Sequence, residues 1–201
     1  MQWPQTQKIR VPLKLKINCK LQDFSSNNPF KLSAILSKDS ESLNVTFIFS
    51  KGLENLLFDE IDDSKIIRQN ELWKETCFEL FLKNTNATEY IEINIATSGA
   101  WNIYVFDSER IGMREYEVSQ APIVLNNLKQ RSELSFKFSL KDLPSFLRDN
   151  KFEYQISAVL KTNNDQFFYA IKHLKTRPDF HDLRAFSTLN NDTEVDLHSE
   201  Q

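Results

Sequence analysis

Apolar residues recur at every second position through most of this chain, and this alternation limits the folds that the chain can adopt. Leu43, Val45 and Phe47, for example, alternate with Asn44 and Thr46. A period of two sends successive side chains to opposite faces of a strand, whereas an amphipathic helix needs a period near 3.6 residues. The alternation therefore predicts strands with one face in a hydrophobic core. Further runs of this kind lie at residues 78–82, 91–95, 134–140 and 152–160.

Turn-forming residues separate these runs, and signals for helices are few. Clusters rich in asparagine lie at residues 27–29, 83–86, 126–127 and 163–165, and the last of these predicts a hairpin. Short helical turns are indicated only near residues 52–56 and 141–148. We therefore predict an all-β fold, a two-sheet antiparallel β-sandwich of jelly-roll-like or immunoglobulin-like type, with at most one or two short helices.

The chain shows no internal division. No linker or change of composition interrupts it, so residues 1–190 are predicted to form a single domain, followed by a polar C-terminal tail at residues 191–201. Two cysteines, Cys19 and Cys77, lie in separate apolar runs. They are interpreted as free, buried thiols of a reducing compartment, with a disulfide as the alternative.

Composition excludes several classes of partner. The formal net charge is −3, and nothing in the sequence resembles the basic footprint of a nucleic-acid-binding protein. No apolar run approaches the roughly 18 residues that span a bilayer. The N-terminus is polar and lacks the features of a secretion signal. We expect a cytoplasmic protein that binds neither nucleic acid nor membranes, and the sequence leaves its oligomeric state open.

The sequence carries no signature of a metal site or of a nucleophilic enzyme. His173 and His181 are eight residues apart, which is not a zinc spacing, and His198 lies in the polar tail. No Gly-x-Ser-x-Gly elbow is present. Glu79 and Glu92 could form a carboxylate pair such as glycosidases use. The same two residues could instead accept hydrogen bonds from a hydroxylated ligand or simply face solvent.

Two tryptophans are candidates for contact with a ligand. Trp73 has charged and polar neighbours on both sides, whereas Trp101 follows the small residues 98–100. A tryptophan in a β-rich protein more often belongs to the core than to a binding surface. Trp73 is the better candidate for a stacking platform, because an exposed indole favours the apolar face of a sugar ring.

One block of motifs resembles a known family. The block opens with Leu-Trp-Lys-Glu-Thr-Cys-Phe-Glu-Leu-Phe at residues 72–81. It continues through Tyr-Ile-Glu-Ile-Asn at 90–94, Ser-Gly-Ala-Trp at 98–101 and Arg-Ile-Gly-Met at 110–113, and Pro-Asp-Phe-His follows at 178–181. In this order the motifs resemble the DOMON-like proteins, which are grouped with the type 9 carbohydrate-binding modules. The similar features extend from about residue 43 to residue 186.

The resemblance implies a non-catalytic β-sandwich that binds a saccharide or another small hydroxylated ligand. Modules of this type hold a sugar between tryptophans on a polar face. By motif match, Trp73 would form one aromatic wall, and Glu79, Asn94 and Arg110 would supply polar contacts. No tryptophan follows Trp101 to form a second wall, so Phe168 or Tyr169 could take that place. The full predicted set of ligand-binding residues is Trp73, Glu79, Glu92, Asn94, Trp101 and Arg110.

The wider DOMON superfamily implies an alternative cofactor. Some of its members bind haem through a methionine and a histidine, a pairing that suits electron transfer. Met113 is the only methionine besides Met1, and His173 or His181 could be its partner. A structural or interaction domain without a small ligand is a further alternative. It predicts that Trp73, Trp101 and Glu79 are all buried and paired internally.

Overall fold

The protein consists of two antiparallel β-sheets, as the sequence predicts. The structure, a computed structural model, describes residues 15–61, 66–126, 128–149 and 151–188. The smaller sheet has the strand order β1-β3-β4-β10-β9. Its strands are β1 (Leu15–Lys20), β3 (Lys31–Lys38), β4 (Ser42–Lys51), β9 (Ile123–Asn126) and β10 (Glu133–Ser139).

The larger sheet has eight strands and holds the candidate site. Its order is β2-β12-β11-β5-β6-β7-β8, and β13 pairs with β11 beside β12. The strands are β2 (Gln22–Asp23), β5 (Cys77–Asn84), β6 (Tyr90–Ala96), β7 (Trp101–Phe106), β8 (Arg114–Glu115), β11 (Phe152–Lys161), β12 (Gln166–Ala170) and β13 (Ser187–Thr188).

The alternating apolar residues form the core between the two sheets. In β4, Val45 and Phe47 are fully buried, and Phe78 of β5 packs against Phe47 at 4.7 Å between ring centroids. Burying aromatic and branched side chains on one face of each sheet is the main driving force for a sandwich of this kind. The predicted all-β two-sheet sandwich is therefore confirmed.

The larger sheet differs from the expectation of one buried and one solvated face. Strands β5, β6 and β7 are buried on both faces over nearly their whole length. The reason is a segment of residues 171–186, here called the cover segment, which follows β12 and packs Phe180, Leu183 and Phe186 onto the outer face. A second, smaller apolar cluster forms there, separate from the main core.

Helical structure is limited to short turns. The one α-helix among the described residues, α1 (Leu128–Arg131), has four residues. Turns of 3-10 helix occur at both places that the sequence indicated, Leu53–Asn55 and Ser145–Asp149. Further 3-10 turns, Leu72–Lys74 and Leu183–Ala185, precede β5 and β13. The first of these carries Trp73.

The remaining predictions about chain organisation concern a hairpin, the two cysteines, membrane spans and the C-terminal tail. The hairpin predicted at residues 163–165 joins β11 to β12, with Thr162 N–H donating to the carbonyl of Asp165 at 2.9 Å. Cys19 and Cys77 are both buried and free. None of the helices in the described part of the chain has the length and apolar character that crossing a bilayer would require. The predicted tail at residues 191–201, with His198, lies outside the described residues.

Candidate functional site

The strand register of the larger sheet gathers polar side chains on its outer face. Ser157 of β11 lies opposite Glu79 of β5, which lies opposite Asn94 of β6 and then Asn102 of β7. Glu92 is two residues before Asn94 and therefore points to the same face, diagonal to Glu79. Residues far apart in sequence thus form one polar patch because the strands pair in this register.

A cleft of about 340 Å³ lies over this patch, between the sheet and the cover segment. Its volume falls near the lower end of the range for small-molecule sites, roughly 300–1,000 Å³. The residues that line it come from the sheet, from the loop after β7 and from the cover segment. They are Trp73, Glu79, Glu92, Phe106, Arg110, Met113, Val159, Phe168, Pro178, Phe180 and His181.

Four of the six predicted ligand-binding residues line this one cleft. Trp73, Glu79, Glu92 and Arg110 come together from a 3-10 turn, two strands and a loop. Asn94 lies beside them, fully buried, and its amide donates to Glu92 Oε1 at 2.7 Å. Asn94 therefore orients a carboxylate of the cleft.

Trp101 lies apart from the other predicted residues. It precedes Asn102 on β7, so its side chain points to the opposite face, into the core between the sheets. It is 5% exposed, and the guanidinium of Arg68 lies 4.6 Å from the centroid of its ring. Arg68 in turn donates to Asn102 Oδ1 at 2.8 Å. The structure thus places Trp101 in the packing of the sandwich.

The two carboxyl groups form the floor of the cleft and are nearly buried. Glu79 is 4% exposed and accepts a hydrogen bond from Ser157 Oγ at 2.8 Å, while Glu92 is 3% exposed. Burial and the neighbouring charge of Glu92 raise the pKa of Glu79 to about 8. Burial also raises the pKa of Glu92, against the hydrogen bond from Asn94. Desolvation penalises the charged form of each carboxyl, so at neutral pH the pair retains a proton.

His181 closes one side of the floor as a neutral imidazole. Its Nδ1 lies 2.7 Å from the hydroxyl of Tyr90, and its Nε2 lies 3.6 Å from Glu92 Oε2. Burial and the charge of Arg110 lower the pKa of His181 to about 3. The ring also makes edge contacts with Phe81 and Phe106 at 5.1 Å. His181 therefore shapes the cleft without bringing positive charge to it at neutral pH.

The two cationic side chains at the rim of the cleft, Arg110 and Lys175, form ion pairs with nearby acidic residues. Arg110 donates to Asp179 Oδ1 at 2.7 Å, and Lys175 donates to Asp179 Oδ2 at 2.6 Å and to Glu109 at 2.9 Å. Burial alone would raise the pKa of Asp179, but the hydrogen bonds from Lys175 and Arg110 outweigh it and bring the pKa to about 2. This network fixes the cover segment against the loop that carries Arg110.

Aromatic residues form the walls of the cleft, and the sequence predicted only some of them. Trp73 packs edge-on against Tyr104 at 5.8 Å, and Phe168 lies 6.2 Å from Phe180. Of the two candidates for a second wall, Phe168 lines the cleft. Tyr169 points to the opposite face, where its hydroxyl bonds the backbone of Phe30. Phe180 belongs to the Pro-Asp-Phe-His motif, but its place depends on the path of the cover segment.

Two of the three candidate haem ligands lie close together, and the third lies elsewhere. Met113 and His181 both line the cleft, whereas His173 Nε2 bonds the carbonyl of Gln22 at 2.9 Å and is not among the lining residues. An axial histidine needs a free lone pair on one ring nitrogen. Both nitrogens of His181 already face other groups, Tyr90 and Glu92. The residues present therefore do not fit a Met/His haem site in this conformation.

Comparison with known proteins gives a likeness of fold. No protein-family model matches the chain, and no curated protein sequence matches it. Among solved structures, the chain is similar to a "putative carbohydrate-binding protein" from Bacteroides uniformis. The two superpose with a TM-score of 0.57 at 11% sequence identity, over 84% of each chain. At this identity the similarity establishes that the two proteins share the architecture of their sheets.

Proposed function

We propose that this protein is a non-catalytic β-sandwich that binds a saccharide or another small hydroxylated ligand in the cleft over its larger sheet. The observation that carries the proposal is the meeting of Trp73, Glu79, Glu92 and Arg110 around one cleft. The fold shared with a protein named for carbohydrate binding agrees with it. The proposal includes membership of the DOMON-like group, and a cytoplasmic location remains a prediction.

The chemistry of the cleft suits a sugar ring. The ring presents apolar C–H faces, which stack on an indole or phenyl ring, and a rim of hydroxyl groups, which need hydrogen-bond partners. Trp73 and Phe168 supply aromatic walls, and Glu79 and Glu92 supply buried oxygens beneath them. Such carboxyl groups hold hydroxyls in fixed directions because their own partners, Ser157 and Asn94, restrain them.

The geometry favours binding over glycoside hydrolysis. A glycosidase places its two carboxyl groups on either side of the scissile bond. Here Glu79 and Glu92 extend from neighbouring strands on one face of the same sheet, so both reach a ligand from below. The rest of the lining consists mainly of aromatic and apolar side chains, with Arg110 and His181 as its other polar members. Glu79 and Glu92 are the only carboxyl groups among the lining residues, so no carboxylate is placed to act from the opposite side of a bound sugar.

Calorimetric titration with a panel of monosaccharides and short oligosaccharides tests the proposal. We expect at least one saccharide to bind wild type, and Trp73→Ala to weaken its binding by about tenfold or more, because the stacking wall is lost. Trp73→Phe should fall in between. Leu57→Ala, an exposed apolar residue outside the cleft, is the matched control and should change nothing. Absence of binding across the panel would leave the structural or interaction role as the better explanation.

Haem binding, the alternative implied by the resemblance, is the weaker proposal, because Met113 and His181 line the same cleft but both ring nitrogens of His181 face other groups. It requires His181 to give up its contact with Tyr90 or Glu92. Reconstitution with haem followed by absorption spectroscopy decides between the two. We expect no Soret band of a protein-bound haem, and a band that is lost in Met113→Leu would favour the redox role.

A further inference from the structure

The floor of the cleft contains two carboxyl groups, and among the described residues neither is paired with a cation. Glu79 Oε2 accepts one hydrogen bond, from the neutral hydroxyl of Ser157. Among the described residues its other oxygen, Oε1, receives none, although the side chain is 4% exposed and lines the cleft. Buried carboxylates are costly unless a cation or several donors compensate them. This oxygen can therefore accept a hydrogen bond from a ligand in the cleft.

Glu92 is compensated only by neutral groups. Asn94 donates to its Oε1, and His181 faces its Oε2 as a neutral ring. Asn94 Oδ1 is itself buried and has no hydrogen-bond partner among the described residues. The floor therefore offers several acceptors at close quarters and few donors. A group that donates several hydrogen bonds and carries positive charge would satisfy them best.

The cations nearest to the cleft are committed elsewhere. Arg110 and Lys175 both bond to Asp179, and Lys175 also bonds to Glu109. Arg110 contributes a field that favours ionised glutamates, but it makes no ion pair with Glu79 or Glu92 within the described residues. A cation that pairs with these carboxyl groups would therefore have to come from the ligand.

The walls also suit a cation. Trp73, Phe106, Phe168 and Phe180 surround the floor, and a positive group near the face of an aromatic ring is attracted by its quadrupole. Aromatic walls above an acidic floor are a common way to recognise an organic ammonium group. A metal ion is a poorer match, because the described residues contain no group of three or more histidine, cysteine or acidic side chains placed to hold one.

We propose that the cleft binds a sugar that carries a protonated amine, with the ammonium group donating to Glu79 and Glu92 and the ring lying against Trp73. This inference rests on the proposed function and names the ligand class of the same site. An ammonium group has three donors, enough for both carboxyls. On binding it would replace the proton that the buried pair keeps at neutral pH, so binding should release a proton to the buffer.

The test compares hexosamines with their parent hexoses and with the N-acetyl forms, by calorimetry near pH 7, where most of the amine is protonated. The parent sugar has a hydroxyl in place of the ammonium, and the N-acetyl form has a neutral amide. We expect a hexosamine to bind at least about tenfold more tightly than either counterpart. Titration in two buffers of different ionisation enthalpy should detect the released proton for the amine alone.

Isosteric variants assign the preference to the floor. Glu79→Gln and Glu92→Gln should each weaken hexosamine binding by about tenfold more than they weaken hexose binding. Glu115→Gln removes a carboxylate from β8 that does not line the cleft and should leave both unchanged. Thermal unfolding of each variant checks that it is folded.

The possible failures separate this inference from the proposed function. Equal binding of hexose and hexosamine, or a preference that survives both glutamine variants, overturns the inference. The proposed function stands in that case if Trp73→Ala still weakens the binding. Absence of binding by every sugar overturns both.

Discussion

Replacing Glu79 by glutamine should stabilise the protein at neutral pH, although it removes an ionisable group from a candidate binding site. Burial, together with the charge of Glu92, raises the pKa of Glu79 from 4.5 to about 8. In the unfolded chain the same carboxyl is solvated and has its ordinary pKa. Between these two pH values the unfolded chain releases a proton that the folded protein keeps, so unfolding becomes easier as the pH rises.

The size of the effect follows from the shift. A folded-state pKa above the unfolded value gives a contribution to stability that is complete below about pH 4.5 and is lost as the pH rises towards 8. Each pH unit in this window costs about 1.4 kcal/mol, so about 3 kcal/mol is lost by pH 7. Glutamine has nearly the same shape, can accept the hydrogen bond from Ser157 and does not titrate. Glu79→Gln should therefore match wild type near pH 4.5 and exceed it by about 3 kcal/mol at pH 7.

Urea denaturation at several pH values between 5 and 8 measures this difference. His181 acts in the opposite sense, because its lowered pKa makes stability rise between about pH 3 and 6.5. That contribution is common to both proteins and cancels in the comparison. Glu115→Gln replaces an exposed carboxyl of the same sheet outside the cleft and serves as the control. A difference between Glu79→Gln and wild type that stays constant with pH would refute the reasoning.

Three further perturbations test the packing around the site and the core. Tyr169→Phe should lower the free energy of unfolding by about 1–3 kcal/mol in urea denaturation, because the hydroxyl bonds both the N–H and the carbonyl of Phe30. Gly52→Ala should cost about 1–3 kcal/mol, since its φ of 91° is strained for alanine and the new methyl would meet a backbone carbonyl at 2.5 Å. Burial raises the pKa of Cys19 to about 11 and that of Cys77 well above its usual value, so a thiol reagent should label neither until urea unfolds the protein.

The position of Trp73 and of the two glutamates shows how far local pattern reaches. Period-two alternation puts Glu79 on one face of β5 and Glu92 on one face of β6. In each strand, the residues next to the glutamate point to the opposite face. The pattern cannot state which residues of the two strands lie opposite each other. A pairing shifted by two residues would keep every side chain on its face and would still alter the neighbours of Glu79. The meeting of the two carboxyls was therefore a hypothesis until the register was known.

Trp101 and Phe168 show that the sequence pattern also does not decide whether an aromatic residue lies in the core or in the cleft. Both lie in alternating strands, and one residue of offset decides which face each side chain takes. Asn102 points to the outer face of the larger sheet, so its neighbour Trp101 points into the core. Tyr169 points into the core, so its neighbour Phe168 points to the cleft. Aromatic side chains suit either place, so their chemistry gives no preference between a core and a binding wall.

The sequence by itself determined the class of fold, because a strict alternation of apolar and polar residues can bury a continuous surface only as strands in facing sheets. It also determined the chemical groups that a site could use. The tertiary structure decided that the outer face of the larger sheet is covered and not open to solvent. The cover segment packs there through Phe180 and Phe186. Burial beneath it, a long-range effect that no local pattern encodes, raises the pKa of Glu79 and Glu92.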